Sequence, residues 1–282
     1  MLNLIRMNLY RIRHSLSSWC ILFFTVAAAV FSVAMTNLYI ASMEADASGA
    51  EASAVEAAPD FGITVSVNPE WADGTIEMGD IVSTEIGSRL LAILCTIFTA
   101  IFITGEQKSG YIKNIAGHFP GRWPLVLAKF AALAFWLLLM LLVFTVSVLL
   151  SGLAFWGGRF QMGSFPALAE ILGVQYLLHL GLSSLLMLLC ILTGSSAVGM
   201  TAGILLCCGA GNLIYSLVNR MADSLHWGRN FDVSLYTPDG NIPLAVIGAA
   251  PSTLLRAALV GCAFTAASVL LSVLIMKKRD IR

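Results

Sequence analysis

Gln175, His179 and Ser183 recur at every fourth position of a long apolar run, so a helix there carries them as one polar stripe. At membrane depth such a stripe faces the bundle interior or a water path, which makes it a candidate translocation surface. The commoner use of such residues is hydrogen bonding between helices, and both readings stand. His179 is no metal site alone, because His14, His118, His179 and His226 fall on different segments. The cysteines (Cys20, Cys95, Cys190, Cys207, Cys208 and Cys262) all lie inside apolar runs and read as small apolar fillers. A disulfide framework or a Cys/His zinc site would place them in polar loops. No acid, nucleophile or metal cluster gathers at one depth, which argues against a membrane-embedded enzyme. No GxxxxGK[ST] phosphate loop occurs in the chain, so it does not bind ATP by that mechanism.

The elements that must position these residues are membrane spans. Of the 282 residues, 58% are hydrophobic and 11% charged, with a mean hydropathy of +0.86. A soluble domain of this size needs far more charge to cover its surface. The formal net charge of zero argues against a nucleic-acid partner. Apolar runs cover residues 19–40, 84–104, 124–156, 166–193, 195–218 and 252–276. Each reaches the roughly 20 residues that cross a bilayer, and each satisfies its backbone in lipid only as a helix. The fold expected is an all-α integral membrane protein, a single transmembrane domain over 1–282 with six spans and outer loops at 41–83 and 219–251. Trp19, Tyr39, Trp123 and Trp156 fall at span ends, where amphipathic rings bridge lipid and water. Ser164 and Pro166 supply a cap and an early helical proline for the fourth span, and Pro124 does so for the third.

Charge orients the spans. With a cytoplasmic N-terminus, the inner segments hold Arg6, Arg11, Arg13, Lys108, Lys113, Arg122, Lys129, Lys277, Lys278, Arg279 and Arg282, most of the 16 Lys and Arg. Outer segments hold Arg159, Arg220 and Arg229, with Arg89 and Arg256 near outer helix ends. That is a strong positive-inside bias, with both termini cytoplasmic. The first outer loop has nine acids, from Glu44 to Asp80, and no Lys or Arg. Its small, acidic first half reads as a solvated tether rather than a substrate cap, and FGITVSVNP alternates as a short strand does. Glu85 and Arg89 are spaced as a helical pair that neutralises itself, and Arg256 can snorkel to headgroups. Gly199 and Gly203 form a GxxxG suited to close helix packing, within one chain or between chains.

Two basic segments stand out. In MLNLIRMNLYRIRHSL, Leu2, Ile5, Leu9, Ile12 and Leu16 gather on one helical face, with Arg11 roughly opposite and Arg6 and Arg13 flanking. Such a helix lies on the inner leaflet with its basic side toward anionic headgroups. The second, Thr104 to Pro124, carries Lys108, Lys113 and Arg122 against Glu106. Ser109 can cap a short helix, GYIKNIA, that Gly117 ends. Tyr111 and Ile115 then share a face beside Ile112, while Lys113 and Asn114 point elsewhere. A basic loop need only set topology. An exposed Tyr-Ile-Ile cluster is better explained by a docking surface, here a coupling helix for a cytosolic motor.

The opening MLNLIRMNLYRIRHS, the motif FITGEQKSGYIKNIAG followed by GRWPLVLAK, and the ending VLIMKKRDIR resemble a permease subunit of the type-two ABC exporter class. The likeness is greatest to the bacitracin and lantibiotic self-protection (immunity) branch. It implies an elbow helix at the N-terminus, carrying Arg6, Arg11 and Arg13, and a cytoplasmic coupling helix after the second span. Glu106, Lys108, Gly110, Ile112, Lys113 and Asn114 match the family's loop pattern, and Tyr111 and Ile115 complete the docking face. It further implies a pair of permeases, identical or paralogous, with two cytosolic ATPase subunits that hold the ATP and Mg; this chain needs no cofactor. Export or extraction of an amphipathic peptide, antibiotic or lipid-like compound follows. The rivals are an ion-coupled secondary transporter, which wants midplane ionisable groups, broken helices or repeated halves, and a non-transport scaffold or sensor subunit.

Overall fold

The computed structural model describes residues 1–47, 68, 71, 74–108, 123–224 and 232–278. Helix α1 (Leu2–His14) joins α2 (Leu16–Ala47) through Ser15, whose extended backbone (φ −85°, ψ 123°) ends one helix before the next begins. A two-residue strand β1 (Ile76–Glu77) leads into α3 (Met78–Gly87) and α4 (Leu90–Lys108). Helix α5 (Trp123–Trp156) follows, then β2 (Phe160–Gln161), which pairs with β1 in parallel, Ile76 opposite Phe160. The chain continues through α6 (Phe165–Thr193), α7 (Ser196–Cys207), α8 (Ala210–Ser224), the single turn α9 (Pro238–Asn241) and α10 (Pro251–Lys278).

The chain is a multi-pass helical membrane protein. Stretches Leu16–Glu44, Trp123–Arg159, Phe165–Thr193 and Pro251–Lys277 are each long and apolar enough to cross a bilayer. Two further runs, expected as straight spans, are bent pairs: Met78–Gly87 with Leu90–Gly105 at 51°, and Ser196–Cys207 with Ala210–Met221 at 70°. Counting each pair as one span raises the number of crossings from 4 to 6.

The breaks have local causes. At the first, Arg89 takes a left-handed backbone, φ 68°. Ser88 meets the frayed ends on both sides, its hydroxyl donating to the Glu85 carbonyl (2.7 Å) and accepting from the Leu90 N–H (3.4 Å). At the second, Gly209 adopts φ 80°, which L side chains avoid. By contrast α6 starts at the Ser164–Pro166 signal, although the Ser164 side chain makes no capping bond, and it stops at Gly194 (φ 68°).

Packing relies on missing side chains. A Cβ on Gly203 would lie 2.6 Å from Thr96 Cβ, and one on Gly199 would overlap Cys190 Sγ. The GxxxG therefore seats α7 on α4 and α6 of its own chain. The closest crossing joins α6 and α10: a Cβ on Gly261 would stand 2.7 Å from the Leu177 carbonyl, and one on Gly181 3.0 Å from the Gly261 oxygen. Helices α4 and α5 are joined by stacked rings, Phe98 lying 5.7 Å from both Phe102 and Trp136.

Candidate functional site

One end of the bundle is built around α1. It buries Leu4, Asn8 and Ile12 and packs on α5. Arg11 turns inward: its Nη2 donates to the Phe102 carbonyl (3.0 Å), and the guanidinium stands 5.0 Å above the Phe102 ring. Arg11 is thus half-buried against α4, whereas the sequence pattern places it on the side away from the apolar stripe. The guanidinium is held there by two contacts to one residue, a hydrogen bond to the Phe102 carbonyl and stacking over its ring. Arg6 and Arg13 are exposed. The expected apolar stripe is also rotated, because Leu2 is 82% and Leu16 79% exposed while Leu4 is buried.

Helix α1 thus touches both helices that bracket the 109–122 segment. Of the proposed coupling residues, Gly110, Tyr111, Ile112, Lys113, Asn114 and Ile115 lie outside the described residues, as do Ser109 and Gly117. The backbones of Glu106 and Lys108 close the last turn of α4.

The opposite end gathers segments far apart in sequence. Arg159 donates through Nη1 to Glu44 (2.8 Å) and through Nη2 to the Trp71 carbonyl (2.8 Å). The Ile247 N–H donates to Ser83 Oγ (3.3 Å). Strands β1 and β2 meet here as well. The expected strand over 61–69 falls, except for Asn68, outside the described residues.

Inside the bundle the polar stripe of α6 is buried, and its members differ. Gln175 is fully enclosed, its Nε2 donating to the carbonyls of Ile242 (2.8 Å) and Ala245 (2.9 Å). It is a brace for the 242–245 turn. His179 Nδ1 lies 2.7 Å from the Gln175 carbonyl, which can only accept, so Nδ1 carries the proton. Among the described residues, His179 Nε2, Ser183 Oγ and Gln175 Oε1 have no hydrogen-bond partner. The structure therefore brings the three candidate path residues together on one buried face, with the first committed to holding the chain.

Glu85 is the residue that sequence reasoning misread. It is 2% exposed, and its carboxylate accepts from two hydroxyls of α2, Ser32 and Thr36 (2.7 Å for Thr36). No pair with Arg89 forms, because the break after Gly87 takes Arg89 out of the helical i, i+4 register. The signal was present: Ser32 and Thr36 are themselves four apart in an uncharged, mostly apolar run, hydroxyls aimed along one helix face.

A second polar centre ties α8 to α9. The Tyr215 hydroxyl donates to both oxygens of buried Asp239 (2.8 and 2.9 Å). Nearby, Asp232 Oδ1 accepts from Asn219 (3.1 Å) and from the Ser234 N–H (3.0 Å). Burial pushes the Asp232 carboxyl up, but the Asn219 and Ser234 donors outweigh it and hold the group below the ordinary carboxylate range.

Comparison of the chain with protein-family models and with curated proteins finds no match. Among the described residues no three His, Cys, Asp or Glu converge as a metal site.

Proposed function

We propose that this chain is the membrane-spanning permease subunit of an ATP-driven exporter, with ATP hydrolysis on a separate cytosolic chain. The observation that carries the reading is the seat of α1 against α4 and α5. It brings the basic N-terminal helix to the end of the bundle from which the basic 109–122 segment departs, so the two positive clusters share one membrane face. Each bent pair serves as one span, giving six crossings with both termini in the cytoplasm of a bacterial cell. Tyr111, Ile112 and Ile115 dock on the motor, flanked by Glu106, Lys108, Gly110, Lys113 and Asn114. His179 and Ser183 line the path that an amphipathic peptide, antibiotic or lipid-like compound takes, and a second permease completes it. Helix α1 acts as the elbow.

The test is purification of the tagged chain in mild detergent. The expected result is a co-purifying ATPase that is lost in the Tyr111→Asp/Ile115→Asp variant. Purification without any ATPase, or its full retention by the double variant, sinks the motor reading. One rival is favoured by specific observations: two bent helix pairs and the buried carboxyl of Glu85 are what an ion-coupled transporter uses. Transport that survives ATP depletion but collapses when the ion gradient is dissipated would select it.

A further inference from the structure

A half-open cavity of about 680 Å³ lies between α1, the start of α2 and the last turns of α4. That volume falls within the roughly 300–1,000 Å³ typical of small-molecule sites. Its lining is two-sided. Ile12, Phe98 and Phe102 are buried apolar walls, whereas Tyr10, His14 and Ser17 are exposed. Arg11 lines it too, and no Asp or Glu does among the described residues. The last turn of α1 adds Arg13 to Arg11 and His14, so the ionisable groups described about the opening are basic. Trp19, half exposed, donates through Nε1 to the Arg13 carbonyl (2.7 Å) and marks this level as the boundary between hydrocarbon and headgroups.

We infer that this cavity holds one anionic phospholipid, its acyl chain against Ile12, Phe98 and Phe102 and its phosphate beside the basic end of α1. A plain lipid-facing groove would be apolar all round and indifferent to headgroup. This one sets hydroxyl, imidazole and guanidinium groups beside an aromatic wall, the combination that a charged amphiphile satisfies and a neutral chain does not. The site asks nothing of a motor, so it stands or falls separately from the exporter reading.

Gly105 provides the variant. It lines the cavity, and a Cβ there would meet no described atom within 4 Å, so Gly105→Phe starts from open space and projects its ring into the cavity. The experiment is native mass spectrometry of the full-length, delipidated protein titrated with dioleoyl phosphatidylglycerol and, separately, with dioleoyl phosphatidylcholine. One phosphatidylglycerol per chain is expected to bind well ahead of phosphatidylcholine. Gly105→Phe is expected to remove that binding at an unchanged melting temperature. Arg11→Gln, which removes the guanidinium charge, is expected to weaken it about fivefold. Equal binding of the two lipids, or undiminished phosphatidylglycerol binding by Gly105→Phe, overturns the assignment.

Discussion

The two bent helix pairs reach the same outcome by opposite means. Between α3 and α4 the turn falls to a non-glycine residue, Arg89, in a conformation that costs about 1–2 kcal/mol for an L side chain. Side-chain bonds support it: Ser88 serves both helix ends, and Glu85 is held by Ser32 and Thr36. Between α7 and α8 the turn falls to Gly209, which adopts its φ of 80° without that penalty. Beyond it, α8 leaves Leu213, Ile214, Leu217 and Met221 exposed. Yet both pairs lean on one stretch of chain. Ile247 binds Ser83 on α3 and Gly87 lies against Pro243, while Asp239 and Asp232 hold Tyr215 and Asn219 on α8. Residues 232–247 thus brace two bends at once, and Gln175 anchors the brace from α6. A strained turn is kept by the contacts around it, whereas a glycine turn leaves its helix free to present an apolar face.

Substitutions can separate the two bends. Gln175→Leu should have the largest effect, stranding two buried carbonyls at about 1–3 kcal/mol apiece. Detergent melting should fall and thiol labelling should rise at both Cys95 on α4 and Cys207 on α7. Labelling at only one of them would break the idea of a shared brace. Tyr215→Phe should cost about 1–3 kcal/mol by leaving the buried Asp239 carboxylate short of a donor. Its signature is faster labelling of Cys208 with Cys95 unchanged. Ser88→Ala should cost about 1 kcal/mol and show the reverse pattern, Cys95 responding and Cys208 not.

Acid should give the smallest effect. The folded Asp232 carboxyl is held low, so its contribution is present above the unfolded value of about 3.9 and is lost as pH falls through the folded value. Exchange of the Ser234 amide should quicken in that acid window for the native chain, and Asn219→Ala should move the onset to higher pH. An unchanged onset would show that Asn219 contributes nothing to the clasp.

Much of the architecture was legible because length and hydropathy are additive along a run. The runs that became α2, α5, α6 and α10 needed only to be long and apolar, and the Ser164–Pro166 start of α6 is local chemistry. The breaks were not read, because the apolar runs continue through them: Arg89 is a non-glycine residue in a left-handed backbone, and Gly209 is one of several glycines in its run, most of which do not bend the chain. The misreadings arise from structure outside the local pattern. Glu85 and Arg89 pair only on a continuous helix, and Arg11 is half-buried only because α4 offers it the Phe102 carbonyl and ring. Of the candidate site, the α6 stripe was readable from spacing, but the role of Gln175 was not, since its partners lie some seventy residues away in the sequence.

The crossing of α6 and α10 has a consequence for mutational tolerance. Gly181 and Gly261 already touch backbone to backbone, and every possible replacement is larger, so neither position has a conservative neighbour. Gly105, Gly158 and Gly173, with open space where a Cβ would go, carry the same letter and none of that restriction. In a saturation scan the first two should read as blank columns and the other three as permissive ones. Identical residues in this chain therefore hold unequal amounts of information.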